Sequence, residues 1–327
     1  MKGIKIIGTG KYAPENIVTN DDLAKKVETS HDWIVTRTGI EQRHIAADNQ
    51  ATSDLCVPAA QNALSDAGIT ADDLDLIIVA TLSPDKPFPN TATILQRKIG
   101  AMKAACFSIE AACTGFVYAM EVASSMVRCG NYKYALVIGA EKLSSQVNWS
   151  DRNTCVLFGD GAGAAVIESV DEKDNTLLNS ILASDGTHEE LLHTAIGGSA
   201  TPATADNLED PGRYLQMQGR EVFKLAVTNM ANSVKKALEE VNLSVDDIDW
   251  LIPHQANVRI ISAVGDKVGI ASEKVFVNVQ KYGNTSAATI PIALDELARS
   301  GELKRGQILV FVAFGGGFTW GATVLKY

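Results

Sequence analysis

The sequence has few cysteines, and they are poorly placed for cross-linking. There are five in 327 residues, an odd number, and no two stand in C-x-x-C spacing. This pattern disfavours a disulfide framework and a zinc site. We therefore expect a cytoplasmic protein with reduced thiols and no bound metal.

The chain also lacks a long apolar segment and a cluster of positive charge. The longest nearly apolar stretch without charge, 308–320, is rich in glycine and shorter than the roughly 20 residues that span a bilayer. The N-terminus does not have the form of a secretion signal. With 29 Lys and Arg against 39 Asp and Glu, the net charge is −10. We expect no membrane span and no nucleic-acid partner.

An internal repeat is the clearest positive feature. Residues 62–77 resemble residues 236–251, and residues 113–133 resemble residues 284–304, with the copies 174 and 171 positions apart. The first pair has the pattern of a helix, a turn and a strand, and the second has the pattern of a helix ended by glycine. The nearly constant offset indicates two diverged copies of one unit.

The repeat predicts an α/β fold made of two similar halves, 1–172 and 173–327. Strands rich in Val, Ile and Ala alternate with helical segments, including strand-like runs at 104–109 and 275–279, so we expect a buried sheet flanked by helices in each half. Reactive residues of such sheets gather beyond the carboxyl ends of the strands. Because Cys113 and Asn284 occupy equivalent positions, the repeat predicts that they face each other.

Cys113 is the candidate nucleophile. It lies in ACTGF, where a strand pattern changes to a helix pattern, and the positive end of a helix favours a thiolate. A buried structural cysteine is the commoner case and stays open from the local sequence. The remaining cysteines occur in helix or strand patterns and are predicted to be core residues: Cys56, Cys106, Cys129 and Cys155.

Two polar side chains and a glycine-rich run are further candidates for the functional site. His254 ends a strand pattern in PHQAN, where a structural role and a catalytic role are equally compatible with the sequence. Asn284 opens a helix pattern, so it can cap the helix or donate its amide to a carbonyl or enolate oxygen. The run 314–321 can complete an oxyanion hole or simply connect two strands. The run 159–163 is predicted to be a turn between strands.

Four motifs taken together resemble one known family. ACTGF around Cys113, PHQAN around His254, GNTSAA around Asn284 and FGGGFTWG near the C-terminus are similar in order, spacing and flanking sequence to the β-ketoacyl-acyl-carrier-protein synthase III family. The resemblance extends over essentially the whole chain. It implies a thiolase-like fold of duplicated half-domains with five layers, α-β-α-β-α, and a homodimer.

The resemblance also implies an acyltransferase that needs no cofactor. A short acyl-CoA would acylate Cys113, and malonyl-acyl carrier protein (malonyl-ACP) would supply two carbons in a decarboxylative Claisen condensation that initiates type II fatty-acid synthesis. The backbone N–H groups of Cys113 and Gly316 would form the oxyanion hole. His254 Nε2 and the Asn284 amide would stabilise the enolate that decarboxylation creates.

The family pattern suggests further binding residues. Coenzyme A would contact Trp33, Arg37 and Arg152, since Trp and Arg can stack on adenine and Arg can pair with phosphate. Asn257 would meet the pantetheine arm. Phe88 resembles a residue that lines the acyl pocket across the dimer contact.

An acidic carrier protein needs a basic landing surface. The resemblance places it at Lys224 and Arg259, with Lys267 as a weaker candidate, although exposed basic residues are ordinary on any protein. Two departures from the family pattern lie near the site. Thr114 stands where Ala or Ser is frequent, and Asn153 stands where Gly is common, and either can adjust the entrance or the primer choice.

Other functions stay open from the sequence. A specialised synthase III-like enzyme could prime polyketide formation or use another acceptor, and Cys113 with His254 alone would suit a cysteine hydrolase. A non-catalytic acyl-CoA-binding homologue is a third alternative. Thiolase chemistry is excluded because it needs a second cysteine after Cys155, and none is present. The length and branching of the primer are not determined.

Overall fold

Strands and helices alternate along the computed structural model, which describes residues 2–327. The strands are β1 (Gly3–Tyr12), β2 (Asn16–Thr19), β3 (Gln42–Ile45), β4 (Leu76–Ala80), β5 (Ala105–Ile109), β6 (Tyr134–Glu141), β7 (Gly161–Val170), β8 (Leu177–Ser184), β9 (Leu192–His193), β10 (Gln216–Met217), β11 (Trp250–Pro253), β12 (Ile308–Gly315) and β13 (Thr319–Lys326). The α-helices are α1 (Asn20–Ala24), α2 (His31–Thr38), α3 (Thr52–Ala67), α4 (Thr91–Ile99), α5 (Gly115–Arg128), α6 (Arg152–Cys155), α7 (Gly219–Glu239), α8 (Val258–Val268), α9 (Val279–Tyr282) and α10 (Thr289–Ser300). Short 3-10 turns lie at Ala71–Asp73, Ala112–Thr114, Leu143–Ser145, Glu172–Asp174, Gly186–Leu191, Ala205–Asn207, Pro211–Arg213, Val245–Asp247, Ser272–Lys274 and Ser286–Ala288.

Two large sheets repeat the same strand order. The first is β1-β7-β6-β4-β5, and the second, read from its own first strand, is β8-β13-β12-β11. In both sheets the first two pairings are antiparallel and the β6–β4 or β12–β11 pairing is parallel. A single parallel bridge between Leu251 and Val275 marks the place that β5 takes in the first sheet. The duplication predicted from the repeat is therefore present in the strand order.

Alternating side chains bury both faces of each sheet. In β4, Leu76 and Ile78 pack into the cluster between the sheets, whereas Ile77 and Val79 pack against α3 on the outer face. In β12, Leu309 and Phe311 face the central cluster, and Val310 and Val312 face the outer cluster that contains α7 and α8. Because α5 and α10 fill the central layer, the order is helix, sheet, helix, sheet, helix, and the five-layer α-β-α-β-α prediction is confirmed.

Two local predictions were wrong. Only Val275 of the run 275–279 pairs as a strand, because the Gln255 side chain occupies the Asn278 N–H and the Phe276 carbonyl, at 2.9 and 3.1 Å. The predicted turn at 159–163 becomes β7 from Gly161 onward. A Cβ on Gly163 would lie 2.5 Å from the backbone nitrogen of Ile292, so this glycine permits α10 to pack closely on the strand.

The cysteine predictions were also partly wrong. Cys56 and Cys155 are buried, as expected, but Cys106 is half-buried and Cys129 is exposed. Cys129 ends α5 as its C-cap residue, where the helix leaves the core. The helical pattern in the sequence therefore extends one residue beyond the part of α5 that packs in the core.

The two halves meet most closely where a turn of the second half lies on a strand of the first. A Cβ on Gly139 of β6 would lie 2.1 Å from the Ala287 carbonyl oxygen and 2.6 Å from the Ala287 carbonyl carbon. Ala287 belongs to the turn Ser286–Ala288, which directly precedes α10. The turn Ala112–Thr114, which precedes α5, packs against this same turn. The loops equivalent in the repeat are thereby held face to face.

We predict that Gly139→Ala destabilises the protein by about 1–3 kcal/mol, the usual range for overpacking. The added methyl group would meet rigid backbone atoms, so one half must shift relative to the other. The free energy of unfolding from denaturant titration measures the effect. Gly186→Ala is the control, because a Cβ there meets nothing within 4 Å, and an equal loss in both variants would contradict the close approach.

Candidate active site

One large cavity receives side chains from both halves. Its volume is about 770 Å³, and Cys113, His254, Asn284 and Gly316 all line it. Much of the remaining wall is apolar and includes Leu143, Phe158, Leu192, Met217, Phe223 and Phe314. Cys113 and Asn284, which the repeat predicted to face each other, thus line the same cavity.

Cys113 lies in the turn that leads into α5. The preceding Ala112 has a φ of 45°, and its N–H donates to Glu110 Oε1 at 2.9 Å. A Cβ on Gly315 would lie 2.7 Å from the Cys113 nitrogen, so the glycine lets β12 pass directly behind the nucleophile. Burial raises the pKa of the Cys113 thiol to about 12. This effect of desolvation opposes the preference for thiolate that is expected at the positive end of a helix.

His254 follows the last residue of β11 and is held at both ends. Its backbone N–H donates to the Val312 carbonyl at 2.8 Å, and its ring Nδ1 lies 2.7 Å from Thr289 Oγ1. Burial lowers the pKa of His254 to about 3, so the ring is neutral at physiological pH. A neutral ring has one N–H, and its partner at Nδ1 decides whether Nε2 donates or accepts.

Thr289 is able to support either ring tautomer. Its hydroxyl lies 2.9 Å from the Ser286 carbonyl as well as beside His254 Nδ1. When the hydroxyl donates to Nδ1, the ring proton is on Nε2. When the hydroxyl donates to the carbonyl instead, Nδ1 carries the proton.

Hydrogen bonds of both its backbone and its side chain orient Asn284. Its N–H donates to the Leu157 carbonyl at 2.8 Å and its carbonyl accepts from Gly159 at 3.0 Å. Its side-chain Oδ1 accepts from the Ser286 N–H at 2.8 Å. The side chain therefore does cap the following turn, and the same bond leaves the amide NH₂ as the group available to the cavity.

Sequence reasoning missed three polar residues around this site. Ser286 has a φ of 50° and a buried hydroxyl, Thr289 contacts His254, and Glu141 is fully buried at the end of β6. Glu141 had a sequence signal, because it is a lone acidic residue after the apolar run YALVIGA, where a strand of an α/β sheet ends. Ser286 and Thr289 gave no comparable signal within the helix-start motif.

Glu141 accepts several hydrogen bonds from the segment after β4. The donors are Thr81 Oγ1 at 3.1 Å, Ser83 Oγ at 2.5 Å, and the backbone N–H groups of Leu82 and Ser83 at 3.2 and 3.1 Å. Burial nevertheless dominates and raises the pKa of Glu141 to about 7. The carboxyl group can therefore gain or lose a proton near neutral pH.

The predicted coenzyme A residues gather at one edge of the cavity. The guanidinium groups of Arg37 and Arg152 lie 4.6 and 5.0 Å from the centre of the Trp33 ring. Asn257 lines the cavity and its Nδ2 donates to the Arg37 carbonyl at 3.2 Å. The same side chain caps α8 by accepting from the Arg259 N–H. An aromatic face and two cationic groups therefore stand beside the cavity wall.

The three predicted basic residues of the carrier-protein surface lie on α7 and α8, which pack together. Lys224 and Arg259 are exposed, and Arg259 lies 6.0 Å from the ring of Phe223, a cavity-lining residue. Lys267 donates to Thr228 Oγ1 at 3.0 Å. The structure thus brings the three residues to one helix pair beside the cavity.

Phe88 is separated from the cavity within a single chain. Its side chain is 87% exposed, and it does not contribute to the cavity wall. Any role in an acyl pocket therefore requires a second copy of the chain. This placement agrees with the expected position across a dimer contact but does not test it.

Two features that would bear on function are absent from the part of the chain that the structure describes. Within residues 2–327, no helix is both long enough and apolar enough to cross a membrane. Over the same range, His, Cys, Asp and Glu side chains form no group of three or more that could hold a metal ion.

Two duplicated α/β halves with a thiol, an imidazole and an amide between them define a condensing enzyme of the thiolase fold. Family profiles described as "3-Oxoacyl-[acyl-carrier-protein (ACP)] synthase III" and its C-terminal part match residues 107–186 and 238–327. The chain is also 51% identical over 327 residues to a Clostridium acetobutylicum beta-ketoacyl-[acyl-carrier-protein] synthase III, covering 100% of this chain and 99% of that one. The chain belongs to the 3-oxoacyl-[acyl-carrier-protein] synthase III family, and it is an acyltransferase.

Solved structures agree with this assignment. The 3-oxoacyl-[acyl-carrier-protein] synthase III of Aquifex aeolicus is 48% identical, with a TM-score of 0.92 and coverage of 99% of this chain and 100% of that chain. A priming beta-ketosynthase of the R1128 polyketide pathway is 32% identical, with a TM-score of 0.92 and coverage of 99% and 96%. The predicted family and thiolase fold are confirmed.

We predict that the His254 ring stays neutral from about pH 5 to about pH 9, whereas a solvated histidine titrates near 6.5. Burial disfavours the imidazolium, and its pKa of about 3 lies below this range. The ¹⁵N chemical shifts of the ring nitrogens measure the protonation state, with His254→Gln used to assign the signal. A titration midpoint near that of free histidine would contradict the desolvated environment.

Proposed function

We propose that the chain condenses a short acyl-CoA primer with malonyl-ACP to give β-ketoacyl-ACP, coenzyme A and carbon dioxide. Two relatives that align over the whole chain, at 51% and 50% sequence identity, are named beta-ketoacyl-[acyl-carrier-protein] synthase III. The observation that carries the proposal is that the Cys113 thiol, the His254 imidazole and the Asn284 amide share one largely apolar cavity. The product would initiate type II fatty-acid synthesis in the cytoplasm.

In the first half-reaction, Cys113 Sγ attacks the thioester carbonyl of the acyl-CoA. The carbon–sulfur bond to coenzyme A breaks, and the acyl group remains on the enzyme. The backbone N–H groups of Cys113 and Gly316 are the proposed oxyanion hole. Both residues line the cavity, and Gly315 brings β12 against the Cys113 backbone, which supports this pairing.

In the second half-reaction, malonyl-ACP loses carbon dioxide and leaves an enolate. His254 Nε2–H and the Asn284 NH₂ are the proposed donors to its oxygen. The bond from Asn284 Oδ1 to Ser286 orients the amide, and Thr289 can hold His254 with its proton on Nε2. The carbanion then attacks the acyl group, a carbon–carbon bond forms, and Cys113 leaves as a thiolate.

Binding of the two substrates is assigned to two neighbouring parts of the cavity edge, which Asn257 connects through its bonds to Arg37 and Arg259. Trp33, Arg37 and Arg152 would hold the adenine and phosphates of coenzyme A, with Asn257 beside the pantetheine arm. The helix pair α7 and α8, with Lys224, Arg259 and Lys267, would receive the acidic carrier protein. The association of these residues with cavity-lining side chains supports both assignments.

We also propose a homodimer and the half boundaries 1–172 and 173–327. Strand β5 is an edge of the first sheet with its outer side unpaired by this chain, and Phe88 projects from the same half. A second copy would cover both features. The proposed boundary falls between β7 and β8, the strands at which the first sheet ends and the second begins.

A specialised synthase that primes polyketide formation is the second candidate. The similarity to the R1128 priming ketosynthase supports it. This chain is 32% identical to that ketosynthase but 51% identical to the Clostridium acetobutylicum synthase III. We therefore place the polyketide role second. The acyl-CoA primer that the enzyme accepts distinguishes the two candidate functions.

We predict that Cys113→Ala abolishes acyl transfer, whereas Asn284→Ala acylates nearly normally and condenses about 100-fold more slowly. Removal of one oxyanion or enolate donor usually has an effect of this size. Intact-protein mass after mixing with a panel of short acyl-CoAs, with and without malonyl-ACP, resolves both half-reactions. Equal loss of both in Asn284→Ala would contradict its enolate role, and rapid release of free acid without malonyl-ACP would indicate a hydrolase.

We predict that Trp33→Ala and Arg152→Ala each raise the KM for acyl-CoA about tenfold, with little change in kcat. Loss of one stacking or cation–π contact is about 1–2 kcal/mol, which corresponds to this factor. Steady-state kinetics with varied acyl-CoA measures the effect. Arg97→Ala removes an exposed arginine on α4 and serves as the control, and an equal rise in that variant would point to general electrostatic attraction instead.

A further inference from the structure

Two threonine side chains join the segment that carries Cys113 to the glycine-rich run that carries Gly316. Thr114, the residue after the nucleophile, is fully buried, and its hydroxyl donates to the Thr319 carbonyl at 3.0 Å. The Thr319 hydroxyl lies 3.0 Å from the Ala111 carbonyl and 3.1 Å from Thr114 Oγ1. Each hydroxyl therefore bonds to the segment on the other side of the contact, and we call the pair Thr114 and Thr319 the threonine clasp.

The Thr319 hydroxyl has one proton to donate and three acceptors around it. The Gly316 carbonyl is the most distant of them, at 3.5 Å, which is at the limit for a hydrogen bond. The two nearer acceptors, the Ala111 carbonyl and the Thr114 hydroxyl, both lie in the segment 111–114 that leads into α5. With either of these as the acceptor, the bond joins the glycine-rich run to the segment that carries Cys113.

The two segments are also in backbone contact at this point. A Cβ on Gly315 would lie 2.7 Å from the Cys113 nitrogen and 3.0 Å from the Thr114 nitrogen. Gly315 belongs to the second half of the chain and Cys113 to the first, so the chain connecting them does not fix their spacing. The bonds of the threonine clasp help to fix it.

The proposed oxyanion hole depends on this spacing. Its two donors, the N–H groups of Cys113 and Gly316, come from different halves. Two donors stabilise one negative oxygen only when both are within hydrogen-bond distance of it, and small misplacements of reacting groups have large effects on rate. In the chain, Thr114 directly follows the first donor residue, and Thr319 follows the second by three positions.

We propose that Thr114 and Thr319 set the geometry of the oxyanion hole by holding its two donor segments together. This inference rests on the proposed function, which assigns the N–H groups of Cys113 and Gly316 as the donors. The two threonines act through the backbone of other residues, so they are positioning residues.

The clasp gives a role to a residue that departs from the family pattern. Thr114 stands where Ala or Ser is frequent. A serine can make the bond to the Thr319 carbonyl, and an alanine cannot. With an alanine at this position only the bond of the Thr319 hydroxyl to the Ala111 carbonyl would form. We therefore expect the Thr114 hydroxyl to strengthen the clasp of this chain rather than to be its only bond.

The test compares two reactions of Cys113, both followed by intact-protein mass. Acylation by acyl-CoA in a single turnover places negative charge on the thioester oxygen and needs the hole. Alkylation by iodoacetamide occurs at a saturated carbon, forms no oxyanion and follows the amount of thiolate. Valine keeps the branched shape of threonine and lacks the hydroxyl, whereas serine keeps the hydroxyl. The variants are Thr114→Val, Thr319→Val, their combination, Thr114→Ser and Thr319→Ser.

The clasp predicts slower acylation with unchanged alkylation. Each valine variant acylates about tenfold more slowly, the factor expected for loss of one hydrogen bond while the other remains. The double variant acylates about 100-fold more slowly, the scale on which one oxyanion donor acts. All variants alkylate at the wild-type rate at each pH, and the serine variants acylate at nearly the wild-type rate.

Condensation should fall together with acylation in the valine variants. Attack of the carbanion on the acyl group of Cys113 places negative charge on the same carbonyl oxygen, so it needs the same hole. This pattern differs from the one expected for Asn284→Ala, which loses condensation alone. Normal condensation in a valine variant that acylates slowly would contradict a shared oxyanion hole and overturn the proposal.

Thr323→Val is the matched control. Thr323 is a fully buried threonine on β13, the strand that begins at Thr319, and its hydroxyl lies 3.0 Å from Ser180 Oγ on β8. The substitution therefore removes a similar hydroxyl contact that does not reach the segment of Cys113. We expect normal acylation in this variant. An equal loss of acylation there would assign the effect to general loosening of the sheet and contradict the clasp.

The remaining outcomes separate the clasp from the proposed function. Normal acylation in Thr319→Val and in the double variant would overturn the clasp and leave the proposed function intact. A parallel loss of acylation and alkylation would indicate a displaced nucleophile and would also overturn it. Failure of the wild type to form an acyl adduct with any primer would refute the proposed function itself, and the clasp with it.

Discussion

The contact between a backbone turn of one half and a strand of the other is the constraint on which the site depends. The turn Ser286–Ala288 of one half lies on Gly139 of the other half so closely that a methyl group would not fit. Ser286 in this turn holds Asn284 through its N–H and Thr289 through its carbonyl, and it lines the cavity together with Cys113. One residue with a positive φ thereby bonds to Asn284 and to the partner of His254, so a shift between the halves would disturb both groups.

Desolvation then sets the protonation state of the site. Burial raises the pKa of Cys113 and of Glu141 and lowers that of His254. All three groups are driven towards their neutral forms, because a charge without water around it is unfavourable. Such a cavity also strengthens hydrogen bonds to any charge that appears during a reaction, which suits an enzyme whose enolate exists only briefly.

Much of the fold could be predicted from the sequence because duplication leaves a record in residue spacing. The offset between the two copies indicated the two halves, and the equivalence of Cys113 with Asn284 indicated a shared site. Local patterns were less reliable. The run 275–279 had the composition of a strand, yet the Gln255 side chain takes the backbone groups that a strand would pair, and no local pattern shows that competition.

The sequence by itself determined the duplicated α/β class, the family and the three side chains that carry the proposed chemistry, because motif order and apolar periodicity are properties of the chain alone. The tertiary structure decided their surroundings: the burial of Cys113, the Thr289 contact of His254 and the buried place of Glu141 at the end of β6. These features depend on burial and on contacts between residues far apart in the chain. For Cys113 and Asn284 the separation is more than a hundred residues, and only the packing of the two halves brings them to one cavity.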